Sequence, residues 1–364
     1  MPFLILRFCY LYNTHLLREQ QHATLTTTKT LPDFSIIICS YNEKEENITA
    51  LLDSIFNSTS QAKEIIIVDD CSLKPVQIEK TYADKVRIIR NETNLGLRRS
   101  QIIGISALQP IDYVLCIDSD ICFDNLAIET SLQFIRMHAD GNVFGVRITL
   151  KDFKDDFLNT YINTSYHSNY YKRLFESRMG ATVNCNGAFM FAKYSFIISV
   201  LEAYKNDSFL GKPMMAGEDK SITNMALQQG KSYTIYGVAV THERFTFDQY
   251  KGKVQRTFKT GIIYQVRAIF LEGVSGWVRL FSALDVISFF LSVPLQVVLL
   301  VTLLQLRFFY VLAAVYLIAL MVRNKRSIVK VISYSLYRFA MGIYLYLLKL
   351  YALLRIRSMG WGTR

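Results

Sequence analysis

Short apolar segments alternate with amphipathic ones over the first third of the chain. Four apolar segments have the length and composition of buried strands, and they cover residues 35–40, 64–68, 86–89 and 113–117. Helical patterns follow the first and third of them, at residues 48–56 and 97–108. Because strands alternating with helices are typical of a doubly wound sheet, we predict an α/β fold with a mostly parallel sheet.

Polar side chains stand where these strands end. In a doubly wound sheet, ligands bind in the crevice outside the carboxyl ends of the strands. We therefore expect one binding crevice that gathers Tyr41, Asp69, Asp70, Asp118 and Asp120.

Asp118-Ser119-Asp120 has the pattern of a site for a divalent cation. Two carboxylates one residue apart at a strand end face the same crevice, and Mg²⁺ prefers a few carboxylates plus phosphate oxygens over a full protein cage. Gly217-Glu218-Asp219 adds a separate carboxylate, Asp219, which is suited to act as general base on an incoming hydroxyl. The alternative interpretation is that the Asp-x-Asp pattern only caps the turn after the strand.

Later segments complete the predicted domain. Residues 151–185 are polar and aromatic with little periodicity, which predicts an excursion over the acceptor side of the crevice. Residues 188–191 are apolar and are expected to re-enter the core. A helix over residues 219–229, ended by Gly230, is expected to carry Asp219 at its N-terminus.

The C-terminal part of the chain is strongly apolar. Hydrophobic residues make up 51% of the sequence, and the excess lies in residues 280–306 and 308–322. A bilayer span needs about 20 apolar residues, so we predict transmembrane helices here, although a buried hairpin in a soluble core has the same pattern. Residues 247–278 are basic and amphipathic, as expected of helices on a membrane surface. The cytoplasmic side is indicated by basic residues after the second apolar stretch, namely Arg323, Lys325, Arg326 and Lys330.

Charge and cysteine usage narrow the class of protein. The net charge of +11 has no accompanying base-stacking signature, so we assign it to membrane anchoring and phosphate binding and predict no nucleic-acid partner. The six cysteines lack metal-binding or redox spacing, which fits a reducing compartment. The predicted organisation is an N-terminal segment (1–32), interfacial or the remnant of an anchor, then a catalytic domain (33–246), interfacial helices (247–278) and a membrane region (279–364).

The motifs together resemble a known family. In order along the chain they are similar to those of the inverting glycosyltransferase family 2 with its GT-A fold, and more narrowly to the membrane-embedded hyaluronan and chitin synthases. The resemblance covers residues 33–364. It rests on Ser40-Tyr41-Asn42-Glu43, Val68-Asp69-Asp70, Asp118-Ser119-Asp120, Phe209-Leu210-Gly211-Lys212, Gly217-Glu218-Asp219 and Trp361-Gly362-Thr363-Arg364.

The resemblance implies a set of residues that bind a UDP-sugar. Tyr41 and Glu43 are expected to frame the uridine. Asp69 and Asp70 are expected to hold the uracil and ribose. Arg98 stands where the family places a basic residue near the nucleotide-sugar.

The resemblance also implies a metal site and a base. Asp118 and Asp120 are expected to coordinate Mg²⁺ or Mn²⁺ on the diphosphate, with Asp120 the more direct ligand. Asp219 is the expected base for in-line attack with inversion. Trp361 and Arg364 are expected to close over the diphosphate from the C-terminal tail.

Some positions depart from the family pattern. Lys253-Val254-Gln255-Arg256-Thr257 aligns with the family's Q-x-x-R-W block, and Arg256 is retained as an expected substrate-binding residue. Lys253 and Thr257 replace the family's Gln and Trp. Glu218 is a further expected substrate-binding residue. His242 is either a third metal ligand, as in some GT-A enzymes, or a loop histidine.

Three functional hypotheses follow. The first is a processive synthase that uses UDP-sugars, with N-acetylglucosamine and/or glucuronic acid as the sugar, which the Trp361–Arg364 tail favours. The second is a non-processive membrane transferase that adds one sugar to a lipid-linked or oligosaccharide acceptor, which Lys253 and Thr257 favour. The third is an inactive membrane scaffold.

The predicted location follows from the donor. Cytosolic UDP-sugar places the catalytic domain inside a multi-pass protein of the cell membrane, in contact with membrane lipids. The tail must reach the same nucleotide, so an even number of crossings separates it from the catalytic domain. Residues 280–306 and 308–322 are predicted to supply two. Residues 328–354 are then predicted to lie against the inner leaflet, since Arg338 is costly at the bilayer midplane.

Overall fold

The computed structural model describes residues 30–150, 156–241, 244–305 and 328–356. The strands are β1 (Phe34–Ser40), β2 (Ile65–Asp69), β3 (Arg87–Arg90), β4 (Tyr113–Asp118), β5 (Ile121–Phe123), β6 (Gly141–Leu150), β7 (Phe189–Lys193), β8 (Ser208–Phe209), β9 (Lys212–Pro213) and β10 (Lys231–Thr241). The helices are α1 (Glu45–Phe56), α2 (Lys80–Ala83), α3 (Leu97–Ala107), α4 (Ala127–Met137), α5 (Phe157–Ser177), α6 (Tyr194–Lys205), α7 (Glu218–Gln229), α8 (Phe247–Phe270), α9 (Gly276–Gln305) and α10 (Ile328–Leu354).

Eight strands form one sheet in the order β3-β2-β1-β4-β7-β6-β10-β5. β1 pairs in parallel with β2 and β4, and β6 pairs in parallel with β10. β7 runs antiparallel to both β4 and β6, and β5 runs antiparallel to β10. The predicted α/β fold is confirmed. The sheet is mixed, because β7 and β5 run against the other six strands, which share one direction.

Apolar residues on both faces of the sheet build the core. Ile36 and Ile38 of β1 pack on one side in a cluster that includes Leu51 of α1. Ile37 faces the other side and packs in a cluster with Ile105 of α3 and residues of α6 and α7. Fully burying such a side chain contributes roughly 1.5–3 kcal/mol. Burial on both faces explains why β1 reads as a continuous apolar run.

Residues 156–177 differ from the sequence prediction. The low periodicity of this stretch gave no sign of a helix, yet residues 157–177 form the 21-residue helix α5. Asp156 caps it by accepting hydrogen bonds from the backbone N–H groups of Leu158 and Asn159. Asn159 in turn donates to the backbone carbonyl of Phe245, so a polar contact attaches α5 to the start of the C-terminal helices.

The C-terminal helices pack on the sheet domain. α8 begins with a capping box between Thr246 and Gln249 and packs against α7, α9 and α10. Of the two predicted crossings, the first corresponds to most of α9, and residues 308–322 lie outside the described residues. Within the described ranges, one helix segment is long and apolar enough to cross a bilayer, Ser333–Leu354 of α10. This is the stretch predicted to lie along the inner leaflet, so the multi-pass arrangement stays a prediction.

Candidate active site

A cavity of about 500 Å³ opens at the edge of the sheet where β1, β2 and β4 end. The loops that follow these strands, the loop before β7 and the start of α7 meet there. Most of the predicted site residues therefore line the same cavity. They are Tyr41, Asp70, Asp118, Asp120, Glu218, Asp219 and Arg256.

The carboxylates of the Asp-Ser-Asp motif face this cavity between β4 and β5. The backbone N–H of Asp118 donates to the carbonyl of Ala188 at 3.0 Å, which fixes the end of β4 against the loop before β7. Asp120 Oδ2 accepts a 2.6 Å hydrogen bond from Thr241 Oγ1, at the end of β10. Ser119 Oγ donates to Glu43 Oε2 at 3.1 Å. Glu43 thus lies behind the motif and supports it.

This pair of carboxylates fits a hard divalent cation. Both belong to the cavity wall, and a cation held by two carboxylates keeps positions for phosphate oxygens and water, as Mg²⁺ prefers. Within the described ranges, no group of three His, Cys, Asp or Glu side chains makes an all-protein metal cage. His242, considered above as a third ligand, lies outside the described residues.

Asp69 and Asp70 have different surroundings. Asp70 lines the cavity and accepts hydrogen bonds of 2.8 Å from the backbone N–H groups of Leu95 and Gly96. Asp69 is 1% exposed, pairs with Arg90 and accepts from the backbone of Ser72 at 3.0 Å. Burial alone raises the pKa of Asp69, but hydrogen bonds, first among them those from Ser72, outweigh it and lower the pKa. Asp69 therefore lies behind the cavity wall, which corrects its predicted contact with the nucleotide.

Arg98 is a second correction. Its guanidinium is buried rather than part of the cavity lining, and it lies 4.6 Å from the centre of the Tyr204 ring. It donates to the backbone carbonyl of Tyr204 at 2.9 Å and forms an ion pair with Asp207 at 3.2 Å. These partners lie more than a hundred residues away in sequence, and they engage the guanidinium of Arg98 in internal contacts.

The turn into α7 places Asp219 on the cavity wall. Gly217 has φ +81°, and a Cβ there would come within 2.8 Å of the Thr260 side chain of α8. A glycine is therefore required for the turn. A Cβ on Gly187 would come equally close, at 2.8 Å, to Asp219 Cβ. Asp219 Oδ1 accepts from the backbone N–H of Lys220 at 2.9 Å.

Glu218 stands beside Asp219 in a less polar setting. Burial, followed by the neighbouring charge of Asp219, raises the pKa of Glu218. A buried carboxyl with a raised pKa in a cavity is a feature common at functional sites.

The wall opposite the carboxylates comes from β6, α5 and α8. Tyr166, Asn169, Tyr170 and Arg173 of α5 line the cavity. Arg147 of β6 also lines it, with its guanidinium 2.6 Å from the Nδ1 atom of His167. Arg147 and Arg173 are not among the residues predicted from sequence, and α5, which carries Arg173, shows no apolar stripe that would mark a helix. Tyr166 and Tyr170 line the cavity, whereas the neighbouring Tyr171 is not among the lining residues.

The cations of α8 complete this wall. Lys253 lines the cavity with its ammonium 4.2 Å from the centre of the Phe245 ring, and Arg256 and Thr257 line it one turn later. Trp361 and Arg364, the predicted tail residues, lie outside the described residues.

Comparison with known proteins gives a consistent set of relatives. The model of the glycosyl transferase family 2 matches residues 35–197. An uncharacterized glycosyltransferase of Haemophilus influenzae is 43% identical over 108 residues, which cover 30% of this chain and 36% of that protein. The hyaluronan synthase of Streptococcus pyogenes is 27% identical over 359 residues, covering 90% of this chain and 82% of that protein. An N-acetylglucosaminyltransferase of a Rhizobium species is 29% identical over 219 residues, covering 58% and 48%.

A solved structure shares the fold. The mannosyltransferase of Pyrobaculum calidifontis, determined in complex with GDP-mannose and Mn²⁺, aligns over 98% of this chain and 99% of its own with a TM-score of 0.58. The sequence identity is 15%, so the likeness concerns the fold. It supports the predicted GT-A-like arrangement of sheet and helices.

Proposed function

The chain is a glycosyltransferase with a family 2 domain, and we propose that it extends a glycan by inverting transfer from a UDP-sugar, as a hyaluronan or chitin synthase does. The donor sugars we propose are N-acetylglucosamine, glucuronic acid or both. The observation that carries the proposal is the single cavity in which Asp118 and Asp120 share walls with Asp219. This shared cavity supports a donor site and an acceptor base that reach the same bound substrates.

The donor is proposed to bind against the β1, β2 and β4 ends. Tyr41 and Asp70 line that part of the cavity, and Glu43 supports it through Ser119. Asp118 and Asp120 would hold Mg²⁺ or Mn²⁺. When bound, that ion would neutralise charge on the diphosphate leaving group. The Mn²⁺ in the Pyrobaculum mannosyltransferase complex supports such a requirement.

Asp219 is proposed to act as the base. Its carboxylate takes the proton of the acceptor hydroxyl while that oxygen bonds to the anomeric carbon of the donor. The bond from this carbon to the diphosphate oxygen breaks on the opposite side, so the configuration inverts and UDP leaves. Gly187 packs closely on Asp219, and a larger side chain at that position would displace the proposed base.

We also propose roles for the C-terminal tail and for the membrane region. Arg256 lines the cavity, and Trp361 and Arg364 are proposed to close over the diphosphate from the C-terminus. We propose a cytosolic catalytic domain on a protein of the cell membrane. Two observations support the membrane location. One is the apolar segment Ser333–Leu354, and the other is the similarity to a hyaluronan synthase over 90% of this chain.

A non-processive transferase is the second candidate. Lys253 and Thr257 line the cavity at the place of the family's Gln and Trp. A tryptophan offers a broad face on which an acceptor sugar can stack, and threonine offers none. This observation favours addition of one sugar to a lipid-linked or oligosaccharide acceptor.

The test uses membranes that contain the full chain. Radiolabelled UDP-sugars are supplied singly and in pairs, and the product is sized. A long polymer supports the first candidate, a single added sugar supports the second, and no transfer from any UDP-sugar contradicts both. Asp219→Asn should abolish transfer with UDP affinity nearly unchanged, whereas Asp120→Asn should weaken metal-dependent UDP binding as well. Near-normal turnover of Asp219→Asn would exclude Asp219 as the base.

A further inference from the structure

Asp207 is the centre of a buried polar cluster beneath the start of α7. It follows α6, and its side chain is 6% exposed. Its carboxylate accepts from Ser221 Oγ at 2.7 Å, from Arg98 at 3.2 Å and from Arg267 at 2.8 Å, and also from the hydroxyl of Tyr264. The cluster joins α3, α7 and α8 at one carboxylate.

Ser221 connects this cluster to the turn that carries Asp219. Its hydroxyl donates to Asp207 and accepts from Arg98 at 3.1 Å. Its backbone N–H donates to the carbonyl of Gly217 at 2.9 Å, which closes the first turn of α7. Asp219 lies inside that turn. The side chain of Asp219 itself is bonded only locally in the contacts described above, to Lys220, so its position depends on how α7 is held.

α8 holds the same turn from its other side. Thr260 limits the space at Gly217, and Tyr264 lies 3.1 Å from a Cβ placed there. Tyr264 lies one turn after Thr260 on α8, and Arg267 lies one turn after Tyr264. Both side chains donate hydrogen bonds to Asp207. The turn is therefore fixed at Gly217 by α8 packing and at Ser221 by the Asp207 carboxylate.

The charge balance of the cluster favours an ionised Asp207. Burial alone raises the pKa of Asp207, but hydrogen bonds from Tyr264, Ser221 and Arg267 outweigh it and lower the pKa. A buried carboxylate with two guanidinium partners and two hydroxyl donors is fully paired. The hydrogen bond to Ser221 is therefore present at neutral pH.

We propose that Asp207 is a positioning residue for the base Asp219, acting through Ser221, with Arg98 as the group that orients both. This rests on the proposed function. It assigns Arg98 a part in catalysis that involves no contact with the donor. A small shift of a base relative to an acceptor hydroxyl lowers the rate of transfer. The proposed donor-binding residues Tyr41 and Asp70 lie outside this turn, so we expect donor affinity to change little.

The experiment compares two matched serine substitutions in the full chain in membranes. Ser221→Ala removes the hydroxyl from the cluster. Ser131→Ala is the control, because Ser131 is also a buried helical serine, 2% exposed, whose hydroxyl donates to the carbonyl of Ala127 in α4, away from the cavity. We expect Ser221→Ala to lower kcat about tenfold with the donor KM and UDP Kd within about twofold of the unmodified protein. Ser131→Ala should leave all three unchanged at a similar thermal midpoint.

Two further readouts separate the possible results. Asp207→Asn keeps the shape of the side chain and should lower kcat more than Ser221→Ala does. Amide hydrogen exchange over residues 217–224 should be faster in Ser221→Ala than in Ser131→Ala. Equal kcat for the two serine variants, or equal exchange over this turn, would overturn the positioning role. If the unmodified protein transfers no sugar from any UDP-sugar, the proposed function fails, and exchange alone then decides whether Asp207 anchors the turn.

Discussion

The hydroxyl of Thr241 donates a 2.6 Å hydrogen bond to Oδ2 of Asp120. Thr241 is the last residue of β10, and it pairs with Ile121, the residue directly after Asp120. The backbone ladder between β10 and β5 and this side-chain bond therefore orient the same carboxylate. A proposed metal ligand is thus supported by a strand more than a hundred residues away in sequence.

Thr241→Val tests this support, since valine has nearly the same shape and no hydroxyl. Loss of an outer hydrogen bond to a metal ligand lowers metal affinity by about tenfold or more. We expect the Mn²⁺ concentration for half-maximal transfer to rise by about that factor, with kcat at saturating Mn²⁺ nearly normal. Thr149→Val on the neighbouring β6 is the control. An unchanged Mn²⁺ dependence in Thr241→Val would remove Thr241 from the site.

Asp70→Asn tests the loop before α3. Asp70 accepts from the backbone N–H groups of Leu95 and Gly96, which belong to the cavity wall. An asparagine amide cannot accept on its nitrogen, so one of these groups loses its partner at a cost of about 1–3 kcal/mol. We expect the Kd of UDP, measured by calorimetry, to rise about tenfold. Asp112→Asn, at a carboxylate that accepts from the exposed backbone of Asp33, should bind UDP normally.

Glu176→Gln should change stability in a pH-dependent way. Glu176 is 1% exposed, and burial raises its pKa to about 6 from 4.5, although Lys172 opposes the shift. Because the folded pKa is the higher one, the stability that protonated Glu176 contributes is complete below about pH 4.5 and is lost as pH rises through about 6. Glutamine stays neutral, so the variant should be more stable above pH 6 by roughly 2 kcal/mol and equal below pH 4.5.

Thermal midpoints across this pH range measure the effect. Glu202→Gln on α6 is the control, since the Glu202 side chain is 76% exposed and should show no such difference. A constant gap between Glu176→Gln and the unmodified protein at all pH values would contradict the expectation.

Deletion of residues 361–364 tests the tail. Arginine binds phosphate with two parallel hydrogen bonds, so the proposed grip on the diphosphate depends on Arg364. We expect the truncated protein to stay in membranes and to lose most of its transfer activity. Arg364→Lys keeps the positive charge but cannot form the two parallel hydrogen bonds, so this variant should lose part of the transfer activity. Full activity after truncation would leave the tail without a role in transfer.

Cysteine labelling tests which side of the membrane the tail occupies. The proposed topology places residue 358 inside, with an even number of crossings before it. Ser358→Cys should therefore resist a membrane-impermeant reagent applied to intact cells and react after permeabilisation. Strong labelling from outside would show that α10 completes an odd number of crossings, and the tail could not reach the cytosolic donor.

Local sequence predicted the elements that depend on local pattern. β1, β2 and β4 are buried on both faces, so each reads as an apolar run. Of the polar residues predicted to gather at their ends, Tyr41, Asp70, Asp118 and Asp120 line one cavity and Asp69 does not. The turn at Gly217 and the stop at Gly230 likewise located α7.

Distant partners decided what the sequence could not predict. Arg98 pairs with groups 106 and 109 residues away, and no pattern near Arg98 signals a buried ion pair. α5 has polar and aromatic residues on most sides, because one side lines a cavity and another contacts the C-terminal helices. The direction of β7 is set by its neighbours β4 and β6, so composition alone could not distinguish a mixed sheet from a parallel one.

The reversal of β7 has a consequence for how such an enzyme can diversify. Phe189 begins β7 opposite Ile117 near the end of β4, so the chain enters this strand at the edge that carries the cavity instead of leaving it there. The segment that arrives at this point, α5 and the loop to Ala188, is inserted between strands without interrupting β1, β2 or β4. Exchange of residues 156–188 between relatives would therefore replace the α5 part of the wall opposite the carboxylates, while β1, β2 and β4 would keep their own register.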